Sequence, residues 1–214
     1  MKIAVIGVSG WVGGAVAREA LSRGHSVTAV APDASQVHDL PGATVAVGDV
    51  LDADSTERVV AGHDAVLTAV TDHRPGHTII IPKSAEVLLE ALPRAGVERL
   101  VFAGGGSTLE ASPGVRFLDT PGFPESYREE ALAHAEALQI FRSYDGPVRW
   151  SYASPPPVHL LDGRKSGAYR VQAGDRPVID SHGESRITVS DYASALVDEL
   201  ERGNFIRQRF TVGY

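Results

Sequence analysis

A glycine cluster at the front of the chain constrains the fold more than any other feature. Lys2–Ile6 is a short β-branched run that leads into Gly7-Val8-Ser9-Gly10-Trp11-Val12-Gly13, a GxxGxxG spacing, and Val12–Arg23 then reads as a helix closed by Gly24. In a strand–turn–helix context the first glycine permits a tight turn. The second lets the backbone approach a pyrophosphate, and the third lets the helix pack closely on the strand. Free amides and the helix dipole at that terminus favour an anion. The functional expectation is a dinucleotide held by Gly7, Ser9, Gly10, Trp11, Val12 and Gly13; the bland alternative is a glycine turn kept only for structure. Trp11 either flanks the ligand or packs on the helix.

The segments that follow keep the same alternation. Ser26–Ala31 and Thr44–Val47 read as strands, Asp54–Ala61 as a short helix with Asp54 placed to cap it, and Asp64–Val70 as a fourth strand. A helix through Ile79–Arg94 and a strand over Val97–Ala103 complete the first half. Such alternation implies an α/β protein: a Rossmann-type, doubly wound parallel sheet with right-handed crossovers. The second half is less regular. Glu125–Arg142 and Ser190–Arg202 read as helices, and Val148–Ala153 and Gln208–Val212 as strands. Residues 104–127 and 154–190 read as loops that would carry a substrate site. The 214 residues form one expected domain, 1–214.

Composition narrows the partners. The formal net charge of −7 gives no general attraction to nucleic acid or anionic lipid, so neither is expected as a partner. The chain has no cysteine, which removes disulfides, thiolate nucleophiles and thiolate-bound metals. The N-terminal apolar run is broken by glycine after six residues, too early for a secretory signal, and no window suits a membrane helix. A cytoplasmic location follows as the expectation.

Strand ends in an open parallel sheet line the ligand crevice. Asp33, just past the second strand, can accept from a ribose 2′-hydroxyl or serve as a turn residue after Pro32. With no cation following it within several residues, it favours NAD(H) over NADP(H). Asp49 and Val50 follow the third strand, and the aspartate can bond an adenine amino group or act in a turn. Ala69, Val70 and Thr71 end the fourth strand and are expected at the middle of the cofactor.

The segments Gly7–Gly13, Gly48-Asp49-Val50, Gly62-His63-Asp64-Ala65-Val66 and Phe102-Ala103-Gly104-Gly105-Gly106-Ser107 together resemble the atypical short-chain dehydrogenase/reductases. Within that group the chain resembles the NAD(P)H-binding, NADH–flavin reductase family, related to NmrA-like proteins. Asp119–Tyr127, Trp150–Pro155 and Arg209–Tyr214 carry the likeness to the C-terminus. The resemblance implies a Rossmann domain, a nicotinamide cofactor and a small-molecule acceptor.

Two departures from the family pattern matter. Pro32 stands where NADP-preferring members often have arginine. The acid/base motif Tyr-x-x-x-Lys has its nearest match in Tyr127-Arg128-Glu129-Glu130-Ala131, with alanine in place of lysine. Alcohol–ketone chemistry therefore lacks its usual acid, whereas an electron-poor flavin or quinone can take a hydride without one. A non-catalytic NAD(P)-binding sensor is the alternative. The candidate catalytic residues are Ser107, as a hydrogen-bond donor to an acceptor carbonyl or as a turn serine, and Tyr127, as a donor or a packing residue. His134 lies about two helical turns beyond Tyr127 on a similar face. Pro155 sits at the crevice rim after the sixth strand. His73 and His77 are separated by Pro75 and Gly76 and suggest no metal site. A complete Gly-x-Ser-x-Gly does not occur, so a hydrolase elbow has no support.

Overall fold

The computed structural model describes residues 1–72 and 76–214; the expectation for His73 falls outside them. β1 (Lys2–Ile6) is buried at four of its five positions. Ile3 and Val5 pack into one apolar cluster and Ala4 and Ile6 into the other, as required of a strand covered on both faces. The chain continues through α1 (Trp11–Ser22), β2 (Ser26–Ala31), β3 (Thr44–Val47), α2 (Ala53–Val60), β4 (Ala65–Thr68), α3 (Ile80–Arg94) and β5 (Arg99–Ala103). The second half holds β6 (Glu110–Ser112), β7 (Val115–Arg116), α4 (Arg128–Ser143), β8 (Arg149–Ser154), β9 (His159–Leu161), β10 (Arg170–Ala173), β11 (Arg186–Thr188), α5 (Val189–Arg202) and β12 (Gln208–Gly213).

Eight strands form the central sheet in the order β10-β12-β8-β5-β4-β1-β2-β3. All pair in parallel except β10, which runs antiparallel to β12. Helices α1 and α5 cover one face, with Val16, Ala17, Ala20, Leu196 and Leu200 in the core. Helices α2, α3 and α4 cover the other, where Leu88, Leu92, Leu138 and Phe141 are buried. The expected doubly wound α/β domain is what the chain forms. Strand order reverses between β1 and β4, so the segments leaving those two strands part at their C-terminal ends and open a crevice there.

The structure differs from the sequence reading in four places. The cap of α2 is Asp52, whose carboxylate accepts from the Ser55 amide; Asp54 sits in the first turn and pairs with Arg94 instead. α4 begins at Arg128, after a 3-10 turn over Glu125–Tyr127. β4 ends at Thr68, so Ala69, Val70 and Thr71 lie beyond the strand. The loop regions carry short strands: β6 and β7 form a hairpin, β9 pairs with β11, and β10 extends the main sheet. These strands are short and mostly exposed, and β10 is exposed at every position, so they show no apolar alternation. Among the described residues no helix is long and apolar enough to cross a membrane.

Asp191 ties the irregular C-terminal half together. It is fully buried in the first turn of α5 and accepts from the Ser166 amide and hydroxyl, the Gly167 amide and the Tyr214 hydroxyl. Burial alone would raise its pKa, but the bonds from Ser166, Tyr214 and Gly167 outweigh it and hold the carboxyl at about 2, against an ordinary 3.8. A depressed carboxyl stabilises the fold fully above the unfolded value and loses that contribution as pH falls toward the folded one. Wild-type stability should therefore drop between about pH 4 and pH 2. Asp191→Asn should be less stable at neutral pH and lose less over that window, as measured by denaturant unfolding at several pH values.

Candidate functional site

The crevice consists of two connected clefts at the C-terminal edge of the sheet. The first, of about 350 Å³, is lined by the β1–α1 turn, the ends of β2 and β3, and residues 69–72. The second, of about 600 Å³, is lined by the start of α1, residues 103–107, the start of α4 and residues 155–158. Gly10, Ala69, Val70 and Thr71 line both.

The glycine turn is built by close backbone contact. Gly7 has φ +89°, and a Cβ there would stand 2.5 Å from the Ala69 carbonyl oxygen. A Cβ on Gly13 would stand 2.1 Å from the Gly7 carbonyl oxygen. Both positions exclude a side chain for packing reasons. Gly10 differs: a Cβ there would meet only the Gly7 carbonyl oxygen, at 3.3 Å, so its bareness keeps the clefts clear. Gly10 is also the N-cap of α1, with no side-chain cap and no acidic residue in the first turn. The terminus thus presents an uncompensated positive dipole end beside the clefts. Ser9 lines the first cleft, and Trp11 and Val12 line the second; Trp11 is half exposed.

At the far end of the first cleft, Pro32 and Gln36 form the lining. Asp33 is not among the lining residues. Its carboxylate caps the 3-10 turn Ala34–Gln36 and accepts from the Ser35 amide at 2.8 Å, a bond that holds its pKa down. Asp49 and Val50 line the cleft, and the Asp49 carboxylate accepts from the Leu51 amide. Among the described residues, Asp49 and Asp72 are the charged side chains of this cleft.

The second cleft collects Ser107, Tyr127, Pro155 and His134. The Ser107 carbonyl accepts from the Leu118 amide, and its hydroxyl has no hydrogen-bond partner among the described residues. Tyr127 is 59% exposed at the cleft mouth rather than packed on the sheet edge. The Gly104–Gly106 run is sterically required. A Cβ on Gly104 would stand 1.9 Å from Tyr152, one on Gly105 2.7 Å from His134, and one on Gly106 2.6 Å from the Pro155 carbonyl oxygen. The Tyr152 phenol, pushed up to about 12 by burial, donates to the His134 carbonyl. His77 lies 3.6 Å from Asp72, and the described residues hold no cluster of three metal-ligating side chains.

Sequence reasoning missed the residue that holds this wall together. Arg209, buried on β12, donates to the Ser154 hydroxyl, the Thr108 carbonyl and hydroxyl, the Gly105 carbonyl and the Asp175 carboxylate. Desolvation disfavours its charge and Asp175 opposes that effect. An arginine directly before the buried Phe210-Thr211-Val212 run was the available signal. Gln36 and Glu130 had none, because a 3-10 turn and a helix start gave no reason to place them in the cleft.

The NAD(P)H-binding family model matches residues 7–202, spanning the glycine turn and both cleft walls. The chain belongs to this NAD(P)H-binding family. The Bacillus subtilis (strain 168) protein YwnB is 32% identical over 99% of this chain and 98% of its own length. A crystal structure from Burkholderia pseudomallei, described as a "putative exported protein", is 35% identical with a TM-score of 0.89, covering all of both chains. A Streptococcus pneumoniae TIGR4 structure, described as a "putative NADH-flavin reductase", is 33% identical with a TM-score of 0.87, covering all of this chain and 99% of the other. Family membership supports a nicotinamide cofactor, and the bare glycine cradle, the uncapped helix terminus and the paired clefts fit one.

Gly104→Ala tests the Gly104–Tyr152 contact. Forcing a methyl group onto the Tyr152 ring should cost about 1–3 kcal/mol of stability, read by denaturant unfolding. Adding Tyr152→Leu should recover part of the loss by vacating that space.

Proposed function

We propose that this chain is an NAD(P)H-dependent reductase that passes hydride to a conjugated acceptor of the flavin or quinone type. The observation that carries this reading is the continuity of the two clefts through Gly10 and Ala69–Thr71. One compartment is suited to a nucleotide and the adjoining one to a second molecule. Gly10 and the start of α1 would hold the pyrophosphate, Asp49 and Val50 the adenine, and Ala69, Val70 and Thr71 the middle of the cofactor. When bound, the nicotinamide supplies the hydride.

The chain's own residues supply position rather than a strong acid. Trp11 and Tyr127, both exposed at the second cleft, offer aromatic surface to a flat ring, and Val12 and Pro155 add apolar walls. The Ser107 hydroxyl is available to donate to an acceptor carbonyl. Ala131, in place of the usual lysine, fits an acceptor that is already electron-poor.

NADH is the preferred form in this reading. The charged groups of the first cleft among the described residues are carboxylates, which repel a 2′-phosphate, and Gln36 offers a neutral amide. Asp33, engaged with Ser35, contributes little. Such repulsion in a partly solvated site costs about 1–2 kcal/mol, or roughly tenfold in affinity. Titration calorimetry should therefore give tighter binding of NADH than of NADPH, and Gln36→Arg should reverse the order by strengthening NADPH at least tenfold. Gly10→Glu, which inserts a side chain and a negative charge into the cradle, should abolish binding of both while leaving the circular dichroism spectrum intact. A wild type that binds neither dinucleotide overturns the reading. One that binds NADH and reduces nothing in a flavin and quinone panel points to the sensor instead.

A further inference from the structure

Reduction of a conjugated acceptor consumes a proton with every hydride. The site has no Tyr-x-x-x-Lys pair to give one, because position 131 is alanine. One turn further along α4, on the same face, is His134. Ala131, His134 and Glu130 all line the second cleft.

The surroundings of the imidazole define its protonation. The ring lies against Gly105, where only a glycine leaves room for it. Nδ1 is 3.4 Å from the Tyr152 hydroxyl, and that hydroxyl donates its own hydrogen to the His134 carbonyl at 3.0 Å. The phenol oxygen also accepts from the Gly105 amide at 3.4 Å, and with its own hydrogen engaged it can face Nδ1 only as an acceptor from Nδ1–H. In the neutral ring the proton sits on Nδ1, and Nε2 is the nitrogen that takes up and releases a proton. Nε2 lies 3.8 Å from Glu130 Oε1, and Glu130 Oε1 accepts from the Thr71 hydroxyl at 3.1 Å. Glu130 is thus tied to Thr71, one of the residues shared by both clefts. Among the described residues, the other titratable and charged groups around the ring are Tyr152 on β8, Tyr127 at the cleft mouth, Arg209, which bonds the Gly105 carbonyl, and Arg142, which with Arg209 acts on Tyr152.

We infer that His134 is the acid that delivers the proton to the reduced acceptor, with Glu130 as the positioning residue that holds its imidazolium in the cleft. This inference rests on the reductase reading. In the step, hydride from NADH adds to the acceptor, the Nε2–H bond of His134 breaks with its electron pair left on nitrogen, and an N–H or O–H bond forms on the acceptor. The products are the two-electron-reduced acceptor, NAD⁺ and neutral His134, which takes a new proton from water beside Glu130. The chemistry is general acid catalysis, whose usual contribution is about 10²–10⁴-fold.

The test uses the full chain, NADH and a water-soluble benzoquinone, with a proton NMR titration of His134 in the unliganded protein. Glu130→Gln should lower the pH at which His134 titrates, because a neutral amide no longer favours the imidazolium. His134→Gln should lower kcat about 100-fold and flatten its pH profile, while the Kd for NADH stays within about threefold. Glu130→Gln, a change on a less deeply buried side chain, should move the alkaline limb of the kcat profile to lower pH, and it carries the test if His134→Gln does not fold. Turnover in His134→Gln within threefold of wild type, with an unaltered pH profile, overturns the assignment of the acid while leaving the reductase reading intact. A His134 titration that Glu130→Gln does not move overturns the role of Glu130. A wild type that binds NADH but reduces neither quinone nor flavin overturns the reductase reading and this inference with it.

Discussion

The structure depends first on backbone packed against backbone at the point where strand order reverses. Gly7 lies so close to the Ala69 carbonyl, and Gly13 so close to Gly7, that a single methyl group at either place would overlap peptide atoms. Peptide groups cannot yield as the end of a flexible side chain can. This contact brings the start of α1 down onto β1, and the Ala69 amide extends the ladder by bonding the Ile6 carbonyl. The same closeness sets the helix terminus beside the crevice, so the packing constraint and the placement of the uncapped α1 terminus share one origin.

The opposite wall is organised by buried charge. Arg209 reaches from β12 into the Gly105–Thr108 segment and the end of β8. Asp191 gathers the 166–167 loop and the C-terminal Tyr214. At the opposite end of β5 from the clefts, Arg99, Glu199 and Ser151 form a third buried group that joins β5, β8 and α5, and Glu199 also accepts from the Asn204 and Phe205 amides past the helix end. A buried ion left without partners is costly, so each of these groups fixes the segments that satisfy it. Loops with little apolar surface of their own are thereby held in one arrangement, and the second cleft acquires a defined shape.

The two halves differ in how readable they were. From Lys2 to Ala103 each strand is a short, mostly apolar run, each turn is marked by glycine or aspartate, and every pairing except β1–β4 joins strands consecutive in sequence. Local pattern therefore located the sheet, the glycine cradle and the strand ends that line the first cleft. It did not separate Asp52 from Asp54 as a helix cap, because both residue types suit the position and only the backbone turn distinguishes them. It could not tell whether Asp33 turns to the cleft or to Ser35, since both readings use the same carboxylate.

By itself, the sequence determined the Rossmann-type α/β class, the glycine cradle and the absence of a tyrosine–lysine pair, because each is written in residue types at fixed short spacings. Tertiary structure alone decided that β10 extends the sheet at its edge, that Arg209 braces the Gly104–Gly106 run, that Gln36 rather than Asp33 lines the first cleft, and that Glu130, His134 and Tyr152 stand together in or beside the second. The physical reason is separation along the chain. Tyr152 and His134 are 18 residues apart, and Arg209 and Gly105 are 104. No local periodicity reports contacts at such distances; they exist only once the two apolar faces of the sheet have been covered.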